Sequence, residues 1–240
     1  MSRSGGGLGL LSGFVLLTAT GFTDAYTFLR HGHVFAEAMT GNLVLVGVGA
    51  VAPAVVAFWR PLVSYLAFLA GVVALWLTAR RRPTGTSAPD RDRALQLSTL
   101  GVEVVVLTVV GFLPHSFPQE LIVASISFAA GLQISAFRRI ERADLSTVVM
   151  TTNSMQAVGA ALEALGSGDE LARARARGLL VALVGFVAGV FLGAVLSSAL
   201  HDQAAWVVAG LFFCVAVLYG LEQPAAPGSP HAGEADPPGE

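Results

Sequence analysis

The sequence predicts an all-α polytopic membrane protein of six transmembrane helices plus two re-entrant or short helices, arranged as an inverted internal repeat. Three observations predict it. Of 240 residues, 54% are hydrophobic and 12% charged, too little polar surface to keep a soluble domain of this size dispersed. The apolar residues fall in blocks of about 18 to 22, the length a helix rising about 1.5 Å per residue needs to cross roughly 30 Å of hydrocarbon. A short motif also occurs twice, followed both times by similar segments in the same order.

Five blocks read directly as spans: 8–29, 61–79, 95–113, 121–137 and 179–200. A sixth, 205–221, follows a short turn at His201 and Asp202. The run after Arg3 has the outline of a signal peptide, but its apolar stretch continues through Phe28, beyond the usual core of such a leader. Two segments are ambiguous. Residues 43–59 are apolar but hold Pro53, and residues 154–165 carry Gln156 and Glu163 and are too short and polar to face lipid. The chain thus divides into a cytoplasmic N-terminus at 1–7, a first membrane repeat at 8–113, a second at 114–221, and a Pro-, Gly- and acid-rich tail at 222–240 that is expected to be disordered.

The repeat rests on identities. Met39-Thr40-Gly41-Asn42 recurs as Met150-Thr151-Thr152-Asn153, and Phe68-Leu69-Ala70-Gly71-Val72 recurs as Phe186-Val187-Ala188-Gly189-Val190. Residues 24–30 align loosely with 133–139. The ambiguous segments are then equivalents, each following a copy of the first motif. Arginine placement orients the halves. If neither ambiguous segment spans, twelve Arg share one face and only Arg30 and Arg60 lie opposite; if both span, giving eight helices and a parallel repeat, the faces carry nine and five. The first is the stronger positive-inside pattern, and it makes the halves inverted with both ends in the cytoplasm.

On this arrangement the two copies of the motif enter the membrane from opposite faces. Irregular backbone at such depth is tolerated where it is buried in protein or lines a polar cavity. Thr40, Gly41 and Asn42, with Thr151, Thr152 and Asn153, would lie just ahead of helices. There they serve either to cap backbone N–H groups or to bind a polar or anionic solute, Gln133 joining them from the repeat alignment. Asp24 and Glu103 are ionisable residues deep within spans, candidates for proton coupling or for simple interhelical hydrogen bonds. Arg138 and Arg139 fit lipid headgroup contact. Gly185, Gly189 and Gly193 repeat every four residues and permit close helix contact, within one chain or in a homo-oligomer. Trp59 and Trp206 fall at the expected outer interface and Trp76 near the inner one.

Several classes are excluded or disfavoured. No G-x-S-x-G, H-E-x-x-H, P-loop or cysteine pair is present, so no enzyme and no cofactor is indicated. His31, His33, His115 and His201 share a face but lack acidic or cysteine partners at ligand spacing, and no metal site is assigned. Cys214 is the single cysteine and forms no intramolecular disulfide. No basic run suggests nucleic acid. The partners expected are the lipid bilayer and a small-molecule solute. The leading reading is an inner-membrane permease or channel-like transporter of a small polar or anionic solute, and the rival is a non-transporting scaffold or regulatory subunit.

The run Gly21-Phe22-Thr23-Asp24-Ala25 through Phe28-Leu29, then Val34-Phe35 and Met39-Thr40-Gly41-Asn42, resembles the signature of the YoaK-like bacterial membrane proteins. Gly131-Leu132-Gln133, Arg138-Arg139 and Val149-Met150-Thr151 extend the resemblance into the second half, so that it covers nearly everything between Leu8 and Leu221. Thr152 stands where members often carry Gly. The resemblance implies a multi-span bacterial inner-membrane protein of unknown function with transport suspected, and it supplies no substrate.

Overall fold

In the computed structural model, residues 8–80, 88–114, 116–137, 139–140, 143–144, 150–167 and 169–222 are described. They are almost entirely helical: α1 (Leu10–Arg30), α2 (Met39–Val51), α3 (Trp59–Arg80), α4 (Ala88–Val110), α5 (Gln119–Ala136), α6 (Met150–Ser167), α7 (Glu170–Leu200) and α8 (Ala204–Leu221). A two-residue antiparallel pair, Arg139–Ile140 with Ala143–Asp144, lies between α5 and α6. The N-terminus at 1–7, the tail from 223, Ser87, His115, Arg138 and Val149 fall outside the described residues.

Among the described residues, four helical stretches are long and apolar enough to cross a membrane: Trp59–Arg80, Asp90–Val110, Gln119–Ala136 and Glu170–Leu221. The last holds both α7 and α8, separated by a 3-10 turn at His201–Gln203 where His201 adopts φ 56°. α1 is 21 residues long but carries Thr, Gly and Asp residues, and it is not among these four. Large apolar side chains point outward along the others, with Phe191 70% exposed and Leu66, Val73, Val195 and Phe213 more than half exposed. So broad an apolar surface suits hydrocarbon and would aggregate in water.

Several helix starts differ from expectation: α4 begins at Ala88, seven residues before the apolar block at 95–113, and α6 at Met150, ahead of 154–165, and two others are explained by their caps and ends. α2 starts at Met39, not Leu43, and ends before Pro53; its 13 residues extend roughly 20 Å, short of the bilayer core. α7 starts at Glu170, nine residues before the apolar block, because Asp169 caps it by accepting from the Leu171 N–H at 3.0 Å. The polar first turns of α7 pack along α6.

Packing alternates between the halves. α1 lies against α7 and α8, α3 against α5 and α2, α4 against α5 and α8, and α6 against α7. Two of these contacts are backbone on backbone. A Cβ at Gly21 would stand 2.2 Å from the Phe186 carbonyl oxygen, and one at Gly189 would stand 2.0 Å from that of Thr18. At the other crossing, a Cβ at Gly131 would meet the Phe68 oxygen at 2.2 Å and one at Gly71 the Phe128 oxygen at 2.1 Å. Apolar burial drives little association in lipid, so contact distance sets the attraction, and hydrogen in place of a side chain brings these helices together.

Polar contacts sort the helix ends. At one end Arg30 pairs with Asp202 at 3.1 Å, Arg60 pairs with Glu120 at 3.2 Å, and Trp206 Nε1 donates to the Thr108 oxygen. At the other, Glu222 accepts from Gly9 N and Ser12 Oγ, and Arg93 donates to the Tyr219 and Gly220 oxygens. α1 and α4 therefore run toward the Arg30 end, and α3, α5 and α8 run away from it.

Candidate functional site

Chain reversal after α1 builds the site. Gly32 (φ 83°) and His33 (φ 60°) take left-handed backbone, which ends the helix and turns residues 31–38 back beside α1. Gly32 has a second reason to lack a side chain, since a Cβ there would stand 3.0 Å from Arg60 Nη1. Val34, Ala36 and Glu37 of this non-helical stretch are buried.

Asp24 receives the returning chain. Its Oδ1 accepts from Glu37 N at 2.8 Å and Ala38 N at 3.4 Å, the last amides before α2. Neither Thr40 nor Asn42 caps that helix: Ala38 is the N-cap residue, without a side-chain cap bond, and Thr40, Gly41 and Asn42 lie inside the first turn. The sequence expectation of local capping is corrected on this point, because the acceptor comes from α1, across the fold. Met150 likewise begins α6, so Thr151, Thr152 and Asn153 are within that helix.

Asn42 is fully engaged. Its Oδ1 accepts from Phe35 N at 3.0 Å, and its Nδ2 donates to the Phe35 oxygen at 2.7 Å and to Ser64 Oγ at 3.0 Å. Ser64 in turn donates to the Phe35 oxygen and lies 2.8 Å from Ser127 Oγ, tying α2, α3, α5 and the reversed chain together. Asn42→Asp would face a carboxylate to the Phe35 carbonyl. The expected result is a loss of about 1–3 kcal/mol of stability, read as a lowered melting temperature in detergent. Unchanged melting would contradict the clasp.

The remaining candidates divide. Thr40 and Thr151 are exposed, Gly41 and Thr152 half-buried, and Asn153 and Gln133 fully buried. Gly41 packs on the Phe35 ring. Met39 belongs to a small core with Phe68, Ala130 and Ile134, whereas Met150 packs against the larger core that holds Leu16, Phe22, Leu179 and Phe212. The two copies of the motif thus rest on different helix crossings. Gln133 Oε1 is buried with no hydrogen-bond partner in the structure.

Three buried carboxyls lie on the reversed chain and on the helices α1 and α4. Asp24, Glu37 and Glu103 are 4%, 3% and 1% exposed, and Asp24 and Glu103 both act electrostatically on Glu37. Neither oxygen of Glu37, nor Oε1 of Glu103, has a hydrogen-bond partner. Sequence reasoning missed Glu37 together with Ser64 and Ser127. A signal existed: Glu37 is the one residue of Asp, Glu, Lys or Arg type between Arg30 and Arg60, but topology counting weighs basic residues and passes over acids.

Among the described residues, clefts open elsewhere. One of about 420 Å³ is lined by Ala161, Ala164, Leu165, Arg173 and Ala176, and one of about 390 Å³ lies around Phe112 and Trp206. Neither includes a candidate residue. No group of three metal-ligating side chains occurs among the described residues.

Apolar helices with a buried polar interior define an α-helical multi-pass membrane protein. A family model described as a protein of unknown function (DUF1275) matches residues 12–218, and the chain belongs to that family. It is also similar to the transmembrane protein YoaK of Bacillus subtilis (strain 168), at 26% identity over 137 residues. That match spans 57% of this chain and 60% of the relative. No solved structure matches.

Proposed function

We propose that the chain is a permease for a small polar solute in a bacterial cytoplasmic membrane, with six spans formed by α1, α3, α4, α5, α7 and α8. The observation that carries this reading is the reversed chain at 31–38. Non-helical backbone is buried beside Asp24, and such backbone is tolerated in membranes where it is enclosed by protein or lines a polar path. α2 starts at this depth and returns toward the end it came from, since Gly49 packs on Val56 and Phe58 just ahead of α3. It is a re-entrant element on this reading.

The inverted repeat supports the same proposal. Gly21 meets Phe186 and Val190, and Gly131 meets Phe68 and Val72, the equivalent residues of the other half. α1 and α5 run in opposite directions, as do α4 and α8. Two halves crossing at glycines provide the rigid units that rock against each other in alternating access. Asp24 has no acidic counterpart on either alignment, Gln133 from the loose match of 24–30 with 133–139 or Ile134 from the glycine crossing, so the acidic function belongs to the first half alone.

Three carboxyls in the interior disfavour a bare anion. An anionic solute would enter together with protons that neutralise them, and a neutral or cationic one would not need this. The scaffold reading keeps the packing but gives the unpartnered carboxyls no role. The test is solute entry into proteoliposomes holding the purified protein, read against a panel of small polar metabolites. Entry of none, with folded protein, would favour the scaffold.

A further inference from the structure

We propose that Glu37 is the proton-exchanging residue of the membrane interior, with Glu103 as the carboxyl that shares its proton and Asp24 as the fixed acceptor that positions it. The use of that proton in solute movement rests on the transport reading; the exchange itself does not.

Roles follow from how each oxygen is occupied. Asp24 Oδ1 is committed to the Glu37 and Ala38 amides. It holds the end of the reversed chain, and with it the Glu37 backbone, at a fixed place on α1. The Glu37 side chain is 3% exposed with both oxygens unpartnered, and Glu103 Oε1 is equally without a partner at 1% exposure. A donor, the Thr20 hydroxyl, faces Glu37 from outside hydrogen-bond geometry.

Among the described residues, no cation acts on Glu37. The charged groups acting on Glu37 from the packed elements are Asp24 of α1 and Glu103 of α4, both acidic. α2 carries no titratable side chain. Arg60 of α3 pairs with Glu120 of α5, and Arg30 of α1 pairs with Asp202, all at the bundle end. Uncompensated charge in low dielectric costs several kcal/mol per ion, so three carboxyls without a cation hold at least one proton among them. A bound metal ion is the other way to balance them, but the described residues contain no set of three ligands at metal-binding spacing. A proton needs only two oxygens.

The exchange is a simple transfer. A hydronium ion gives up a proton, breaking one of its O–H bonds as an O–H bond forms on a Glu37 oxygen. Rotation of the Glu37 side chain toward Glu103 lets that bond break as one forms on Glu103. Release to water re-forms hydronium, with no bond between heavy atoms changed. With the Glu37 backbone held by Asp24, the freedom the exchange needs lies in the torsions of the Glu37 side chain, whose oxygens no hydrogen bond holds.

Infrared titration of the purified protein in lipid nanodiscs tests this. The wild type should show the carbonyl-stretch band of a protonated carboxylic acid, lost as pH rises. Glu37→Gln should remove the titrating part of that band, and Glu103→Gln should move its midpoint by about one pH unit, a tenfold change in proton affinity. Should Glu37→Gln fail to fold, Glu37→Asp keeps the carboxyl on a shorter stem and should shift the midpoint likewise. A titrating band in folded Glu37→Gln equal to wild type, or a Glu37→Asp midpoint identical to wild type, would overturn the proposal. Loss of the band on adding sodium or calcium at constant pH would overturn it in favour of a metal site. A titrating band in a protein that moves no solute would remove the transport reading and leave this one standing.

Discussion

Gly189→Val and Gly71→Val each abolish a stable monodisperse protein in detergent, the largest effect expected of any single substitution in this fold. At both positions the added Cβ would lie within 2.1 Å of a carbonyl oxygen of the facing helix, and backbone atoms cannot rotate aside as a side chain can. The helices must separate, and the dispersion contacts along the crossing fall away with distance. Overpacking commonly costs about 1–3 kcal/mol, and a clash on rigid backbone belongs at about 3 kcal/mol or above. Gly210→Ala and Gly220→Ala are the controls, because nothing lies within 4 Å of either added carbon. Size-exclusion profiles after heating give the measurement. Wild-type stability in the valine variants would mean that the two crossings are not as close as described.

Asp24→Leu is expected to rank second. The substitution removes the acceptor of two amides at the start of α2, each left unsatisfied at a cost of about 1–3 kcal/mol, and it partly offsets this by relieving repulsion with Glu37. A net loss of about 2–4 kcal/mol follows. Asp24→Asn keeps an oxygen in place and should lose less than half as much. Melting temperatures of both variants check the ordering. If Asp24→Leu were as stable as wild type, α2 would not depend on α1 for its start, and the positional role of Asp24 would fall.

Much of the helical frame was legible because apolar block length is a local property. α1, α3 and α8 lie within a few residues of the blocks at 8–29, 61–79 and 205–221. The small-residue spacing of Gly185, Gly189 and Gly193 also carried through, since all three face α1 at short range. The start of α2 was not legible. Its amides are held by Asp24, which lies 13 and 14 positions away, and a capping rule read along the sequence looks no further than the first turn.

The site was legible in part for the same reason. Asp24 and Glu103 stood out as charges inside apolar blocks, but Glu37 sits in a loop, where an acid raises no question until the loop is seen to be buried. Asn42 stood out as part of the repeated motif, but its partners in the fold did not. As a cap or solute ligand it would have tolerated or sensed an aspartate; with its amide donating to Phe35 and Ser64, the same change strikes the fold itself. Asn42→Asp therefore does not separate packing from transport, whereas Glu37→Gln does, because no hydrogen bond of the described fold depends on that carboxylate.

Proteoliposomes with a pH-sensitive dye inside offer the most direct test of the central claim. The purified protein is reconstituted, small polar metabolites are added outside one at a time, and internal pH is followed together with entry of the labelled solute. At least one solute should enter and change internal pH in wild-type vesicles, and should change it far less in vesicles holding folded Glu37→Gln. Vesicles with folded wild-type protein that admit none of the solutes and move no protons would contradict the account.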